Sequence, residues 1–146
     1  MAAGVMSFLP PFHHAFPIRD IPSTRHFYVE VLGCREGRSA DTWIDFDLFG
    51  HQISAHVKTE LLREPVTNGV DGDAVPVPHF GCILDMERWR NFRDRLVAHG
   101  VEFVVGPRIR FQGQVGEQAT MFFYDPSGNA LEFKAFADQA RIFAVD

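Results

Sequence analysis

Cysteine is scarce in this chain, and basic residues form no cluster. Cys34 and Cys82 are the two cysteines among 146 residues and have no CxxC spacing, so we expect reduced thiols in a cytoplasmic protein. The formal net charge is −5, which argues against a nucleic-acid partner. The first residues contain neither a basic leader nor a long apolar run, so neither a signal peptide nor a membrane span is predicted.

Apolar and aromatic residues are plentiful instead. Hydrophobic residues make up 46% of the chain, and 15 of its residues are Phe. This composition is ordinary for a globular protein and is sufficient for a substantial core or a lined pocket. At 146 residues, we expect a single compact domain that contains two small modules.

The two halves of the chain share one pattern of predicted elements. Each half begins with a strand (12–18 and 79–84). A helix capped by Asp follows, beginning at Asp20 or Asp85, and a glycine ends it at Gly33 or Gly100. Further strands are predicted at 43–49, 52–57, 101–105, 120–124 and 130–136, and Gly106-Pro107 is expected to stop the third of these. The helical stripes are Thr24, Phe27, Tyr28, Val31 and Leu32 in the first half, and Trp89, Phe92, Leu96 and Val97 in the second.

Two tandem βαβββ modules of an α+β protein are the economical interpretation. Module one covers about 12–58 and module two about 79–136. A Pro/Gly/Asp-rich linker at about 59–78 joins them, and 137–146 form a tail. The modules must bury one face of each sheet together or around a cleft.

The stretch from Thr120 to Lys134 carries the clearest chemical signal. It reads as strand, turn, strand, with Glu132 between Leu131 and Phe133 in the second strand. A charge in an apolar strand is costly unless a metal or a cation compensates it. The turn at 125–129 is interpreted as scaffold, because Asp, Gly and Asn there have turn chemistry, and its predicted role is to aim Glu132.

Two histidines occupy equivalent positions in the repeat. His13 lies in the first strand of module one, and His79 begins the first strand of module two. Two imidazoles with one carboxylate suit a divalent first-row metal and leave coordination positions open. His13, His79 and Glu132 are therefore candidate metal ligands, with His14 on the opposite strand face as the alternative to His13.

Several motifs resemble those of the vicinal oxygen chelate superfamily, which includes glyoxalase I, extradiol dioxygenases and bleomycin-resistance proteins. They are His13 with Ile18-Arg-Asp20, Phe27-Tyr-Val-Glu-Val-Leu-Gly33, His79-Phe-Gly81 and Asp125-Pro-Ser-Gly-Asn-Ala-Leu-Glu-Phe133. The resemblance covers roughly 12–136. It implies that the paired modules form a cupped mixed sheet around one divalent ion held by His13, His79 and Glu132. It also implies that chains often pair as dimers, some with sites completed across the interface, although two modules could complete a site within one chain.

One position departs from the glyoxalase pattern. The fourth ligand of glyoxalase I aligns with Ser54, a poor ligand, while His56 lies two residues further on the same strand face. His56 is the predicted acid/base, or else a substitute ligand. A three-ligand site resembles the dioxygenase branch, so we expect a dioxygenase with Fe(II) whose substrate chelates through adjacent oxygens. A lyase or isomerase with Ni(II) or Zn(II) is the alternative, Mn(II) is a further metal to test, and a metal-free binding protein is a third reading.

Four residues are candidates for contacting a small-molecule substrate. Arg110, Gln112 and Lys134 offer groups that could hold a carboxylate or an oxyanion, and Tyr124 (with Phe122) could line the cup. For the polar three, a solvated arm or strand end is the competing reading.

Overall fold

The computed structural model describes residues 9–145 and contains ten strands and two α-helices in that range. The strands are β1 (His13–Ile18), β2 (Arg35–Ala40), β3 (Trp43–Leu48), β4 (His51–Val57), β5 (Val66–Val70), β6 (Asp73–Val77), β7 (Phe80–Leu84), β8 (Phe103–Arg110), β9 (Gln118–Tyr124) and β10 (Ala130–Phe136). The helices are α1 (Ile21–Arg25), which continues as a π-helix (His26–Val31), and α2 (Met86–Ala98). Short 3-10 helices span Thr59–Leu61 and Gln139–Arg141. None of the helices in this range is long and apolar enough to cross a bilayer.

The two predicted βαβββ modules are confirmed by the strand order. Sheet one has the order β1-β4-β3-β2, and sheet two has the matching order β7-β10-β9-β8. In each sheet the first and last strands of the module pair in parallel, and the other neighbours pair antiparallel. The chain is therefore an α+β protein with a structural repeat.

Helix capping follows the sequence. The Asp20 carboxylate accepts a hydrogen bond from the Ser23 amide at 2.8 Å, and Asp85 does the same for Arg88 at 2.8 Å. These bonds satisfy amide groups that have no partner within the helix.

The predicted helical stripe of module one is buried throughout. In α2, Val97 is 58% exposed, so its prediction as part of the buried stripe was wrong. Leu96 already completes the contact of α2 with the core, and the next residue is turned about 100° away from it.

One core joins both modules. The inward faces of both sheets contribute to it, and so do both helices. The Phe16 ring on β1 lies 5.0 Å from the Phe80 ring on β7 between centroids, so the two sheets meet through these inward faces. Strand alternation then directs the other face of each sheet away from the shared core. We call these the outer faces.

Three segments differ from the sequence expectation. The region expected to be a linker contains a hairpin, β5–β6, whose Asp71-Gly72 loop has φ of 48° and 85°, as a two-residue hairpin turn requires. Strand β8 does not stop at Gly106-Pro107 but runs on to Arg110, because register shifts between Val105 and Arg108 absorb the interruption. Strand β2 was not predicted. Each of its residues is exposed, so it lacks a hydrophobic alternation and exists as an edge strand paired to β3.

The hairpin lies over part of the outer face of sheet two. Val75 of the hairpin packs with Val105 and Phe122 in a small cluster separate from the main core. An ion pair between Asp73 and Arg108 also joins the hairpin to β8. Sheet two therefore has a partly covered outer face.

Candidate metal centre

A histidine and a carboxylate meet on the outer face of sheet two. His79 immediately precedes β7, and Glu132 lies on β10, with His79 Nε2 3.2 Å from Glu132 Oε1. Leu131 and Phe133 are fully buried on the opposite face, so alternation points Glu132 outward. The Glu132 side chain is only 15% exposed. The carboxylate thus avoids the core yet remains largely shielded from solvent.

Gly81 allows the two strands to approach each other at this point. It pairs with Glu132 in the parallel register of β7 and β10. A Cβ atom at Gly81 would lie 1.6 Å from the Glu132 carbonyl oxygen. Any larger residue would therefore push the strands apart at the place where His79 reaches Glu132.

Hydrogen bonds hold both side chains in position. His79 Nδ1 lies 2.6 Å from the Pro76 carbonyl oxygen. Because a carbonyl only accepts, Nδ1 carries a proton, which leaves Nε2 as the nitrogen that faces Glu132. The Thr120 hydroxyl donates to Glu132 Oε2 at 2.6 Å. Such outer bonds orient metal ligands in proteins.

The pair fits two ligands of one divalent ion. Ligand nitrogen and oxygen atoms lie about 2.0–2.2 Å from such an ion, so two of them at tetrahedral or octahedral angles are about 3.0–3.5 Å apart. The observed separation of 3.2 Å is within this range. An imidazole and a carboxylate also suit a first-row metal.

Other predicted residues of sheet two surround the pair. Lys134 is on the same outer face and pairs with Thr120 in the register of β9 and β10. The Phe122 ring stands edge-on to His79 with centroids 5.0 Å apart. Phe122 is only 3% exposed, because the hairpin covers it. It therefore packs against His79 and does not line an open cup. Tyr124 lines an adjoining cavity of about 410 Å³.

His13 lies on the outer face of sheet one, away from this pair. It is exposed, and its Nδ1 is 2.9 Å from Gln52 Oε1. In the part of the chain that the structure describes, no three His, Cys, Asp or Glu side chains form a group that could hold a metal. One chain therefore brings together His79 and Glu132 and does not bring His13 to them. The three-residue ligand set stays a prediction.

His56 and Ser54 share the outer face of sheet one with His13. His56 is exposed on β4 opposite Trp43. Ser54 is buried, and its hydroxyl donates to Asp45 Oδ1 at 2.6 Å. The position that aligns with a fourth ligand is thus already bonded to a neighbour.

The remaining predicted substrate-binding residues lie at the far end of β8. Arg110 Nη1 is 3.6 Å from Asp71 Oδ2, and its guanidinium stacks on Phe111. Gln112 is exposed in the turn that follows. Neither residue lines the cavity beside His79 or the depression that contains Glu132. Their substrate contacts stay a prediction.

The turn at 125–129 is scaffold, as its chemistry indicated, and it also connects the modules. Asp125 Oδ1 accepts from the amides of Ser127 and Asn129 at 2.9 Å each. Asp125 Oδ2 accepts from the buried Tyr28 hydroxyl of module one at 2.9 Å. Burial raises the pKa of Asp125, and these hydrogen bonds oppose the rise. The turn thereby ties β10 to the first module as well as setting its register.

Sequence reasoning missed Thr120, Pro76 and Gly81. Thr120 could have been found by counting pairs outward from the turn, since Ala130 pairs with Tyr124 and Lys134 with Thr120. Gly81 stands in the quoted motif His79-Phe-Gly81, but no pattern in one sequence indicates how closely two strands approach. The Pro76 carbonyl is a backbone group, and only the folded hairpin places it beside His79.

Comparisons with known proteins agree with this architecture. A family model described as Glyoxalase/Bleomycin resistance protein/Dioxygenase superfamily matches residues 11–133. A glyoxalase/bleomycin resistance protein/dioxygenase from Alicyclobacillus acidocaldarius is 30% identical over 92% of this chain and 96% of that one, with a TM-score of 0.76. A search of curated proteins returned no match.

Two more distant solved structures share the fold. The fosfomycin resistance protein FosX from Listeria monocytogenes is 23% identical over 89% of this chain and 93% of its own, with a TM-score of 0.62. A glyoxalase/dioxygenase from Nostoc punctiforme is 20% identical over 92% of this chain and 99% of its own, with a TM-score of 0.65. The tandem modules, the matching strand order and these comparisons lead to one conclusion: the chain belongs to the glyoxalase/bleomycin resistance protein/dioxygenase superfamily.

Proposed function

We propose that this protein is a divalent-metal-dependent enzyme that acts on a small molecule, with His79 and Glu132 as two of its metal ligands. The observation that carries the proposal is the pair itself. Two metal-binding side chains are 3.2 Å apart, and each has a second hydrogen bond that fixes its orientation.

The third ligand that we propose is His13 of a second copy. Within one chain the outer faces point away from a shared core, so the outer face of sheet one can meet the outer face of sheet two only between copies. The charges support this pairing, because sheet one presents Asp45 and sheet two presents Lys134, and neither forms an ion pair in the described range. A two-fold dimer would form two equivalent sites.

The residues around the pair have separate roles in this proposal. A bound ion would supply Lewis acidity and, as Fe(II), reactivity with oxygen. Thr120 and the Pro76 carbonyl hold Glu132 and His79 in place, and Lys134 neutralises negative charge on the substrate oxygens. His56 would arrive on the same face as His13 and act as the acid/base.

A dioxygenase acting on a substrate with two adjacent oxygens is the reaction that we favour. Ser54 is buried and hydrogen-bonded to Asp45, which supports a three-ligand His/His/Glu site over the four-ligand glyoxalase arrangement. The alternatives are a lyase or isomerase with Ni(II) or Zn(II) and a metal-free binding protein.

We place the protein in the cytoplasm, which its two unpaired cysteines support.

Metal analysis of protein purified without chelators tests the proposal. We expect a divalent metal at near one equivalent per chain, with less than about a tenth of an equivalent refuting it. Glu132→Ala should lose the metal and keep its fold by circular dichroism. The control is Glu102→Ala, because Glu102 is exposed and forms no ion pair in the described range. Iron with oxygen uptake on a catechol indicates a dioxygenase, whereas nickel or zinc with hemithioacetal turnover indicates a lyase.

Subunit mixing tests the source of His13. His13→Ala and Glu132→Ala should each lose metal alone. Random exchange between the two variants makes hybrids with one intact site, and should restore about a quarter of the wild-type metal content. No recovery after confirmed exchange would place all ligands within one chain.

A further inference from the structure

We propose that the cavity of about 410 Å³ between β1, β7 and the start of the hairpin binds an uncharged planar aromatic molecule through ring contacts and hydrogen bonds to His14 and Tyr124. Its walls come from both modules, from the segment 61–66 and from the turn at 125–129. The volume is within the usual range for small-molecule sites.

The walls of the cavity are mainly apolar and aromatic. Phe16 and Phe80 are in ring contact with His14, and Leu61, Leu62 and Val66 also line the cavity. Planar rings stack well against such surfaces. The cavity therefore favours a flat apolar ligand over a sugar or a flexible polar one.

His14 supplies one hydrogen-bonding group. Its ring lies 5.7 Å from Phe16 and 4.6 Å from Phe80 between centroids. Among residues 9–145 no side chain or backbone group bonds its ring nitrogens, and neither nitrogen is sealed from solvent. A ring nitrogen of an imidazole can donate or accept a hydrogen bond, so His14 can bond a hydroxyl group of a ligand.

Tyr124 supplies the second group, and the two charged groups at the rim of the cavity, Arg63 and Glu64, oppose each other. Tyr124 lines the cavity, and its hydroxyl has no hydrogen-bond partner in the described range. Arg63 also lines it, but its Nη1 donates to the carbonyl oxygens of Glu60 and Leu62 at 2.8 and 2.9 Å. Glu64 at the same rim would repel an anion. The site therefore disfavours phosphonates and carboxylates.

The cavity adjoins the candidate metal pair. His79 and Phe80 line both the cavity and the smaller depression that contains Glu132 and Lys134. A catalytic role for the cavity rests on the proposed function, because the ring of a substrate would then occupy the cavity while the oxygen atoms of the substrate bind the ion. Occupancy of the cavity itself needs no metal.

Calorimetric titration of metal-free protein in EDTA tests the site with three probes: 2-naphthol, naphthalene-2-sulfonate and naphthalene. We expect 2-naphthol to bind one molecule per chain with a Kd on the order of 0.1 mM. The sulfonate should bind at least about tenfold more weakly, because its charge is unpaired there. Absence of 2-naphthol binding, or equal affinity for the sulfonate, would overturn the proposal.

Two variants test the polar groups. His14→Phe and Tyr124→Phe keep a ring and remove the hydrogen-bonding atoms, so each should weaken 2-naphthol binding about fivefold and leave naphthalene binding unchanged. The control is His26→Phe, because His26 is exposed and lies outside the cavity. Wild-type affinity for 2-naphthol in both folded variants would contradict the assignment. If one variant fails to fold, the other decides.

The same titration on Glu132→Ala separates this inference from the proposed function. Glu132 does not line the cavity, so we expect the variant to lose metal and to keep its affinity for 2-naphthol. Wild-type protein that binds 2-naphthol but no metal would refute the enzyme proposal alone. Wild-type protein that binds metal but no 2-naphthol would refute the cavity assignment alone.

Discussion

Replacing Thr120 by valine tests whether the hydrogen bond to Glu132 organises a metal ligand. The change keeps the shape of the side chain and removes the hydroxyl that donates to Glu132 Oε2 at 2.6 Å. Hydrogen bonds to charged groups contribute about 1.5–3 kcal/mol, and the Glu132 side chain is only 15% exposed, so water replaces the bond poorly. Since about 1.4 kcal/mol is tenfold in a dissociation constant, we expect metal affinity to fall about 10- to 100-fold.

The assay is calorimetric titration of metal-free protein with Mn(II), compared with Thr42→Val as control. Thr42 is exposed, and its side chain makes no hydrogen bond in the described range. The free energy of unfolding of metal-free Thr120→Val should change far less than its metal affinity, because the loss concerns a bond that orients a ligand. An unchanged Mn(II) affinity in folded Thr120→Val would refute the reasoning, since Glu132 would then be positioned without the hydroxyl.

Three further predictions concern stability. Gly81→Ala should lower the free energy of unfolding by about 1–3 kcal/mol or more, because its Cβ would overlap a carbonyl oxygen of β10. Tyr28→Phe should lower it by about 1–3 kcal/mol, since the buried carboxylate of Asp125 loses a donor. Burial raises the pKa of Cys34 to about 12 and of Cys82 to about 11 from 9.0. Stability should therefore decrease as pH rises from about 9 towards 11 or 12, by roughly 1 kcal/mol per thiol at pH 10, because the unfolded chain loses these protons first.

Urea unfolding monitored by circular dichroism checks all three. Gly69→Ala is the control for the glycine, since a Cβ there meets nothing within 4 Å. Tyr124→Phe is the control for the tyrosine, because its hydroxyl has no partner in the described range. For the thiols, Cys34→Ala should show a smaller loss of stability between pH 8 and pH 10 than the wild-type protein. Equal losses of stability in both proteins would mean that the pKa of the Cys34 thiol is the same in the folded and unfolded states.

The sequence by itself determined the modules, the helix caps and the faces of most strands. These features depend on neighbours within a few residues: Asp20 bonds Ser23, Asp85 bonds Arg88, and alternation aims Glu132 away from the core. Local preference and periodicity are therefore sufficient to recover them. They failed at β2, which has no buried residue and exists because β3 offers it an edge.

Only the tertiary structure decided how the two modules pack and which candidate residues meet. The internal repeat shows that His13 and His79 are equivalent, but not whether the outer faces of their sheets approach each other. Because both inward faces pack into one core, the outer faces of the two sheets point away from each other. One chain therefore brings His79 and Glu132 together but does not bring His13 to them. That arrangement depends on contacts between residues far apart in the chain, such as Phe16 with Phe80 and Tyr28 with Asp125. No local pattern encodes such contacts, because their free energy comes from surfaces that exist only after both modules have formed.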